Sequence, residues 1–330
     1  MIPFFQLIGG LVVLVYAGDF LIRGSVSLAR RLDIPPIIVG LTVVAFGTSA
    51  PELMVGIDAV ITGVPTLALG NVVGSNIANV WLVIGLPAVI APMICKAPRF
   101  THNMVGMIFA TLVFIALAFY GPFTALTGGF LLIGLFIFLY LSSRKDKSSG
   151  GYQAILHDIE GLPQKPDTFR FSMLIIVLGL LGLSFGAHFF VQGAVEFAVM
   201  LGVSEAVIGL TLVAIGTSIP ELVTAIAAAL RKQCDVAMGN VLGSNIFNLF
   251  GIIGVSSLVG DIPVPEGFLK FDLWVMLAAA LTFVPFALFK RNVGRHSGVF
   301  FLIAYALYII FLAQGASGID YHATVDGMMN

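Results

Sequence analysis

Residues Gly47-Thr-Ser-Ala-Pro-Glu52 return later in the chain as Gly216-Thr-Ser-Ile-Pro-Glu221. Each copy lies in a longer repeated block: residues 40–53 match 209–222 at 11 of 14 positions, and 70–79 match 239–248 at 8 of 10. The same offset of 169 residues relates both pairs of blocks. A constant offset indicates that the chain consists of two homologous halves, with one motif in 40–79 and the other in 209–248.

The composition around these motifs is that of a membrane protein. Of 330 residues, 59% are hydrophobic and 10% are charged, and the mean hydropathy is +1.06. Soluble domains are about one quarter charged, so a soluble globular protein is excluded. The net charge of −1 offers no basic surface for nucleic acid, and no phosphate-binding loop for a nucleotide is present. The composition therefore predicts an all-α polytopic protein whose surroundings are a lipid bilayer.

Apolar runs between charges and Gly or Pro breaks predict ten transmembrane helices, and the chain length fits about ten spans of the size a bilayer needs. The predicted spans, numbered one to ten, are 4–22, 36–61, 66–93, 103–120, 124–142, 171–195, 205–230, 236–259, 271–289 and 298–315. The first has no basic segment before it and no small-residue cleavage site, so we expect it to be retained as a span.

The Lys and Arg residues lie on one side of this predicted arrangement. Fifteen of the 16 follow odd-numbered spans, in the stretches 23–31, 96–99, 144–170, 231–232 and 290–295. By the positive-inside rule these stretches are cytoplasmic. The pattern therefore predicts a multi-pass protein of the cell (inner) membrane with both termini outside the cytoplasm.

The two halves are expected to cross the membrane in opposite directions. Residues 1–142 and 170–330 hold five predicted spans each, and an odd number of spans inverts the second unit relative to the first. Inverted-topology repeats are typical of secondary transporters. The polar segment 143–169 between them is predicted to be a cytoplasmic linker.

Glu52 and Glu221 are predicted to lie at the bilayer midplane, at equivalent positions of spans two and seven. A carboxylate at that depth costs several kcal/mol unless it faces a cavity or binds something. No Lys or Arg lies in the core of either span to pair with them. We interpret the pair as a cation site; a protonated or paired glutamate that only packs helices is the alternative.

The residues beside the glutamates add oxygen ligands. Pro51 and Pro220 each remove a helical donor and free a carbonyl one turn earlier, and carbonyls at a broken helix are tolerated at that depth where they line a cavity. The nearby hydroxyls belong to Thr48, Ser49, Thr217 and Ser218. Such hard donors suit Na+ or Ca2+, whereas the lack of His and Cys argues against zinc or copper. A proline-kinked packing motif without a ligand is the alternative.

Spans three and eight present a matching polar face. Asn71, Ser75 and Asn79 are spaced by four residues and share one helical face, as do Asn240, Ser244 and Asn248. Glycines at 70, 74, 239 and 243 form small-residue surfaces that permit close helix packing. The face lines the site or serves as hydrogen-bonding contact between helices, and the sequence leaves both functions open.

The duplicated blocks resemble the two alpha-repeats of the sodium/calcium exchangers, in the cation/Ca2+ antiporter superfamily. The chain length is similar to that of compact prokaryotic members. The resemblance implies a transporter rather than an enzyme, with no cofactor, that exchanges several Na+ for one Ca2+ by alternating access. Spans one and six are then expected to slide across a rigid core, and we expect a functional monomer.

The resemblance also implies the ligands of each ion. Ca2+ is expected at Glu52 and Glu221 with the carbonyls of Thr48 and Thr217. Na+ is expected at neighbouring positions that involve Ala45, Ser49, Ser75, Ala214, Ser218 and Ser244 together with the glutamates. Asn79 and Asn248 complete the predicted metal-binding set.

One departure from the family bears on ion selectivity. Some members, including potassium-dependent exchangers, carry aspartate where this chain has Asn248, and Asn79 is neutral as well. We therefore expect that K+ is not co-transported. Exchange of H+ for Ca2+ or for another divalent cation is the nearest alternative, and a passive cation channel is a more distant one. An intramembrane aspartyl protease would need two paired aspartates, whereas Asp19 and Asp58 are predicted near opposite membrane faces.

Asp19 and Arg23 stand four residues apart near the cytoplasmic end of span one, and we expect them to form a local ion pair. The equivalent residues of the second half are His188 and Gln192. The pair is therefore a feature of one half only.

Overall fold

A computed structural model of the chain describes residues 2–34, 36–91, 93, 100–143, 168–200, 214–288 and 292–313. Within these ranges the regular structure is helical, apart from two isolated antiparallel bridges, Met93 with Val293 and Phe123 with Ile262. Most of the predicted linker and residues 209–213 of the second motif lie outside the described residues.

The helices follow the two halves of the sequence. The first half contains α1 (Ile2–Leu32), α2 (Ile37–Thr48), α3 (Ala50–Ile61), α4 (Pro65–Ile90), α5 (Phe100–Tyr120) and α6 (Ala125–Ser143). The second half contains α7 (Phe169–Met200), α8 (Ala214–Thr217), α9 (Ile219–Leu230), α10 (Cys234–Val259), α11 (Phe268–Phe286) and α12 (Arg295–Ala313).

Eight helices in the described ranges are long and apolar enough to span a membrane, and the bent pair α2–α3 makes a ninth if it is one span. The predicted all-α polytopic fold is confirmed. The count of ten stays a prediction, because α8 and α9 follow residues outside the described ranges.

The first helix of each half is longer than its apolar run. We predicted that span one ends at residue 22, but α1 continues to Leu32 and includes three arginines. The prediction ended the helix at its first cationic residue, whereas an arginine at a membrane surface can extend its charged end into water while its backbone stays helical. The helix α7 likewise begins at Phe169 and continues to Met200.

A break divides the helix of each motif just before its glutamate. Ser49 separates α2 from α3 with φ −85° and ψ 8°, and Ser218 separates α8 from α9 with φ −86° and ψ 3°. A proline lies in the first turn after each break, where its missing N–H costs no helical hydrogen bond. The helices α2 and α3 are bent by 43° at this point. The duplicated Pro-Glu sequence therefore starts a new helix in both halves.

The inverted repeat is visible in how α1 and α7 pack. A methyl group added at Gly10 would lie 2.6 Å from the backbone nitrogen of Phe190, and one added at Gly24 would lie 3.0 Å from the carbonyl oxygen of Ser172. Positions that increase along α1 thus meet positions that decrease along α7. The two helices are equivalent elements of the two halves, and they run antiparallel.

The helices α4 and α10 form the interior of the protein, with 72% and 83% of their central residues buried. The glycines of the second motif permit α2 to lie directly on α10. A methyl group at Gly239 would approach the carbonyl oxygen of Ile37 to 2.3 Å, and one at Gly243 would approach that of Leu41 equally closely. The predicted close packing at residues 239 and 243 is confirmed, and it brings the two motifs together. At Gly70 and Gly74 no such close approach is found among the described residues.

Candidate cation site

Each glutamate lies in the first turn of a helix that begins inside the protein. Glu52 is in the first turn of α3 and Glu221 in the first turn of α9. The amino-terminal end of a helix carries a partial positive charge and unpaired N–H groups, which favour a carboxylate. The breaks at Ser49 and Ser218 create these helix ends, so the same local sequence positions both the acid and the helix end that stabilises it.

Both carboxyl groups are shielded from solvent and incompletely bonded. Glu52 is 1% exposed and Glu221 is 0% exposed. Ser49 Oγ donates a hydrogen bond of 3.1 Å to Glu221 Oε1. Glu52 Oε2 and Glu221 Oε2 have no hydrogen-bond partner among the described residues. Buried carboxylate oxygens without partners are costly unless a cation or a proton reaches them.

Hydrogen bonds between the halves tie the two motifs together symmetrically. Thr48 Oγ1 donates to Asn240 Oδ1 over 3.2 Å, and the equivalent Thr217 Oγ1 donates to Asn71 Oδ1 over 3.4 Å. Asn71 Nδ2 also donates to the backbone carbonyl of Glu52 over 3.4 Å. These bonds place each broken helix against the polar face of its neighbour.

The amides farther along the polar faces each offer an oxygen. Asn248 Nδ2 donates to Ser75 Oγ over 2.9 Å, and Asn79 Nδ2 donates to Asn245 Oδ1 over 3.0 Å. Asn79 Oδ1 and Asn248 Oδ1 have no partner among the described residues, and both side chains are buried. Asn248 lies in a π-helical turn, Phe247–Ile252, a local widening often found at functional sites.

The structure brings most of the predicted ligands together around the two breaks. Hydrogen bonds link Thr48, Ser49, Thr217 and Glu221 to residues of the other half. Ser218 Oγ and Ser244 Oγ are buried without a partner among the described residues. The carbonyl of Ala45 accepts from the backbone N–H of Ser49 over 3.0 Å. Ala214 begins α8 at the edge of the described ranges, and the structure describes nothing of its side chain.

The atoms that could coordinate a cation at this site are oxygens. Within the described part of the chain, no group of three or more His, Cys, Asp or Glu residues lies together. The acidic contribution to this site is two carboxyl groups, and hydroxyl, amide and carbonyl oxygens supply the rest. Such a set can hold a hard cation, and about six to eight oxygens are the number that Ca2+ prefers.

Two buried asparagines lie in sequence beside the predicted ligands, and one of them, Asn245, bonds to a predicted ligand. Asn76 and Asn245 occupy equivalent positions of the two halves, and both are buried. Asn245 bonds to Asn79, as described above, and Asn76 Nδ2 lies 3.8 Å from Met276 Sδ. Their identity in both copies of the Gly-Ser-Asn sequence is the signal that could have indicated them.

An ion pair outside the site connects the first helix to the core. Arg23 Nε lies 3.1 Å from Asp19 Oδ2, which confirms the predicted local pair. Arg231, the residue after α9, also donates to Asp19 Oδ1. This second contact is not evident from the sequence, because the two residues are 212 positions apart.

Comparison with known proteins gives consistent matches over nearly the whole chain. A family model described as sodium/calcium exchanger protein matches residues 2–144 and 171–314. A putative antiporter, CaxA, from Alkalimonas amylolytica is 35% identical over 91% of this chain and 95% of its own length. The sodium/calcium exchanger MaX1 from Methanosarcina acetivorans is 32% identical over 94% of this chain and 98% of its own.

A solved structure has the same fold. The sodium-calcium exchanger NCX_Mj, soaked with 2.5 mM Na+ and 0.1 mM Ca2+, superimposes with a TM-score of 0.79 and 32% sequence identity. The match covers 95% of this chain and 98% of that protein. The similarity therefore includes both halves of the chain.

Proposed function

The chain belongs to the sodium/calcium exchanger protein family, and from that membership we propose that it exchanges Na+ for Ca2+ across the membrane by alternating access. The observation that carries the proposal is the pair of buried glutamates, each with a carboxyl oxygen that lacks a partner among the described residues. Family membership supports the exchange of a cation for Ca2+. The two carboxyl groups of the site are the reason to propose a divalent substrate. A dication between two carboxylates offsets the charges that burial would otherwise penalise.

In the proposed complex, Ca2+ is bound by Glu52 and Glu221 together with the backbone carbonyls of Thr48 and Thr217. The support for this set is the position of each glutamate beside the break of its helix. A carbonyl that precedes a break is free of one helical hydrogen bond, so it can turn toward a cation. Both halves contribute equally, which places the ion between them near the bilayer midplane.

We propose that Na+ uses neighbouring oxygens of the same region. Its ligands are the glutamates with Ala45, Ser49, Ser75, Ala214, Ser218 and Ser244, while Asn79 and Asn248 line the region that both ions share. The unpartnered hydroxyls of Ser218 and Ser244 and the unpartnered amide oxygens of Asn79 and Asn248 support this assignment. Because Na+ and Ca2+ share the two glutamates, the ions compete for one site, and this competition is the physical basis of exchange.

Transport in this proposal does not require K+. The positions 79 and 248 both carry a neutral amide, so the site contains two formal negative charges instead of three. Two charges suffice for Ca2+, and a further monovalent cation would be bound without a compensating carboxylate.

The moving part is proposed to be the pair α1 and α7, which slides across the core formed around α4 and α10. Close backbone contacts along the whole pair support its motion as one unit. We further propose that the protein works as a monomer in the cell (inner) membrane, with both termini outside the cytoplasm. The excess of Lys and Arg after the odd-numbered helices supports this orientation.

The counter-ion can be identified with purified protein in liposomes. Vesicles are loaded with Na+, with K+ or with a buffer that imposes a pH gradient, and uptake of radioactive Ca2+ is measured. We expect Ca2+ uptake into the Na+-loaded vesicles and none into the others. Addition of K+ to either side should not change the uptake. Uptake driven by the pH gradient alone would contradict Na+ coupling and would indicate exchange of H+ for Ca2+.

A further inference from the structure

The amides of Asn79 and Asn248 can help to bind a cation only in one of their two orientations. An amide has an acceptor oxygen on one side and an NH2 group with two donors on the other. Rotation by a half-turn would present the NH2 group to the ion and repel it. Whatever accepts a hydrogen bond from the NH2 group therefore decides whether the oxygen is available.

For Asn79 that acceptor is Asn245. Asn79 Nδ2 donates to Asn245 Oδ1 over 3.0 Å, and Asn79 Oδ1 is left without a partner among the described residues. Asn245 is a neighbour of the predicted ligands in sequence and in space, but it contributes its only side-chain acceptor to Asn79. It therefore acts on the site through another residue.

The orientation of Asn245 is itself fixed by groups that can only accept. Asn245 Nδ2 donates to the backbone carbonyl of Asn76 over 3.4 Å and lies 3.5 Å from Met107 Sδ. A carbonyl cannot donate a hydrogen bond, so a flipped Asn245 would place its Oδ1 against the carbonyl oxygen of Asn76, and the two oxygens would repel. The backbone of α4 thus fixes Asn245, and Asn245 fixes Asn79.

We propose that Asn245 is a positioning residue of the cation site, which orients the amide of Asn79 so that its oxygen faces the ion. The inference rests on the proposed function and adds to it a residue that does not touch the substrate. Burial of all the groups involved strengthens the effect, because no water is at hand to replace a lost acceptor.

The other half of the molecule supplies a matched control. Asn76 is the repeat equivalent of Asn245, it is equally buried, and its amide also lies near a methionine sulfur. Asn248, the equivalent of Asn79, donates to Ser75 instead of to Asn76. Asn76→Leu therefore removes an amide of the same size and burial without removing the acceptor of a site residue.

The first measurement compares Asn245→Leu with Asn76→Leu in Na+-loaded liposomes. We expect the Ca2+ concentration for half-maximal uptake to rise about tenfold or more in Asn245→Leu, as for other residues that orient a metal ligand, with a similar maximal rate. Asn76→Leu should keep the half-saturation of the unmodified protein. Equal effects of the two variants would mean lost packing and would overturn the proposal.

The second measurement places Asn245→Leu in an Asn79→Ala background. If Asn245 acts through Asn79, its substitution should not raise the half-saturating Ca2+ concentration further once the Asn79 amide is gone. A loss as large as in the presence of Asn79 would overturn the inference. Should Asn245→Leu fail to fold, Asn245→Ala and Asn76→Ala carry the same comparison. An unmodified protein that moves no Ca2+ would overturn the proposed function as well, whereas normal flux with additive effects would overturn this inference alone.

Discussion

At the scale of the residue, we propose that transport depends on the carboxyl groups of Glu52 and Glu221. Glu52→Gln and Glu221→Gln each keep the shape of the side chain and an oxygen that can accept hydrogen bonds. We expect both variants to fold and to lose Ca2+ uptake almost completely, because one carboxylate no longer balances a dication in a buried site. Radioactive Ca2+ uptake into liposomes measures the effect, and chromatography in detergent verifies folding.

The matched control for this prediction is Glu266→Gln. Glu266 is exposed, forms an ion pair with Lys270 and lies outside the site, and the proximity of that lysine lowers the pKa of its carboxyl group. Its neutralisation should leave uptake unchanged. Normal flux in Glu52→Gln or Glu221→Gln would contradict the assignment of the site.

The sequence could predict these residues because they are duplicated. The glutamates, the hydroxyl residues before them and the polar faces all recur at one offset, and recurrence at equivalent positions indicated a shared site. Duplication could have indicated Asn245 as a residue, but not the role proposed for it, because that role depends on which of several amides donates to which. Hydrogen-bond direction between distant residues is set by packing, and no local spacing reveals it.

At the scale of the element, the contact between α1 and α7 depends on small residues. Gly10, Ala17 and Gly24 follow one another at intervals of seven, and their repeat equivalents are Gly179, Gly186 and Gly193. Most of these positions lie against the backbone of the partner helix. Close approach of this kind favours movement of the two helices together.

Neighbouring glycines in α1 test this contact. A methyl group at Gly10 would lie 2.6 Å from the backbone of Phe190, whereas one at Gly9 meets nothing within 4 Å among the described residues. We expect Gly10→Ala to destabilise the protein by about 1–3 kcal/mol through overpacking. Gly9→Ala should be neutral or stabilising by up to about 1 kcal/mol through its helix propensity. Thermal unfolding in detergent compares them, and equal unfolding temperatures would contradict the close contact.

The ion pair between Asp19 and Arg231 connects α1 to the residue that follows α9. If α1 slides against α9 during transport, this contact must break and re-form in each cycle. Arg231→Gln should therefore shift the balance between the conformations by up to about 1 kcal/mol, the range for partly exposed pairs. Such a shift changes the half-saturation for Ca2+ up to about fivefold.

The control for this pair is Arg23→Gln. Arg23 contacts the same carboxylate from within α1, so its loss removes a charge without breaking the connection between helices. Only Arg231→Gln should change the half-saturation measurably. Identical behaviour of the two variants would exclude a connection that matters for transport.

At the scale of the whole molecule, the symmetry of the fold and the asymmetry of its charges have different origins. The offset between the blocks predicted the inverted repeat, and the antiparallel α1 and α7 agree with it. The ion pairs at Asp19 have no counterpart related by the repeat, because the equivalents of Asp19, Arg23 and Arg231 are His188, Gln192 and Thr62. We expect this difference to make one of the two conformations of the cycle more stable than its counterpart.

The limits of the sequence at this scale concern where helices end and what they meet. Hydropathy locates apolar runs, so it predicted the helices but placed the end of α1 ten residues too early. The connection from Asp19 to Arg231 joins residues that only the folded arrangement brings together. Composition and repeats were therefore enough to predict the class of fold. The end of α1 and the contact of Asp19 with Arg231 depend on tertiary packing, which the sequence does not reveal.

We propose that Na+ and Ca2+ move in opposite directions through one site, and simultaneous measurement of both fluxes can show whether the two movements are coupled. Liposomes that contain the protein are loaded with radioactive Na+ and diluted into medium with or without radioactive Ca2+. We expect Na+ to leave only when external Ca2+ is present, and Ca2+ to enter only when internal Na+ is present. Movement of either ion without the other would contradict exchange of Na+ for Ca2+ and would indicate a channel or a different counter-ion.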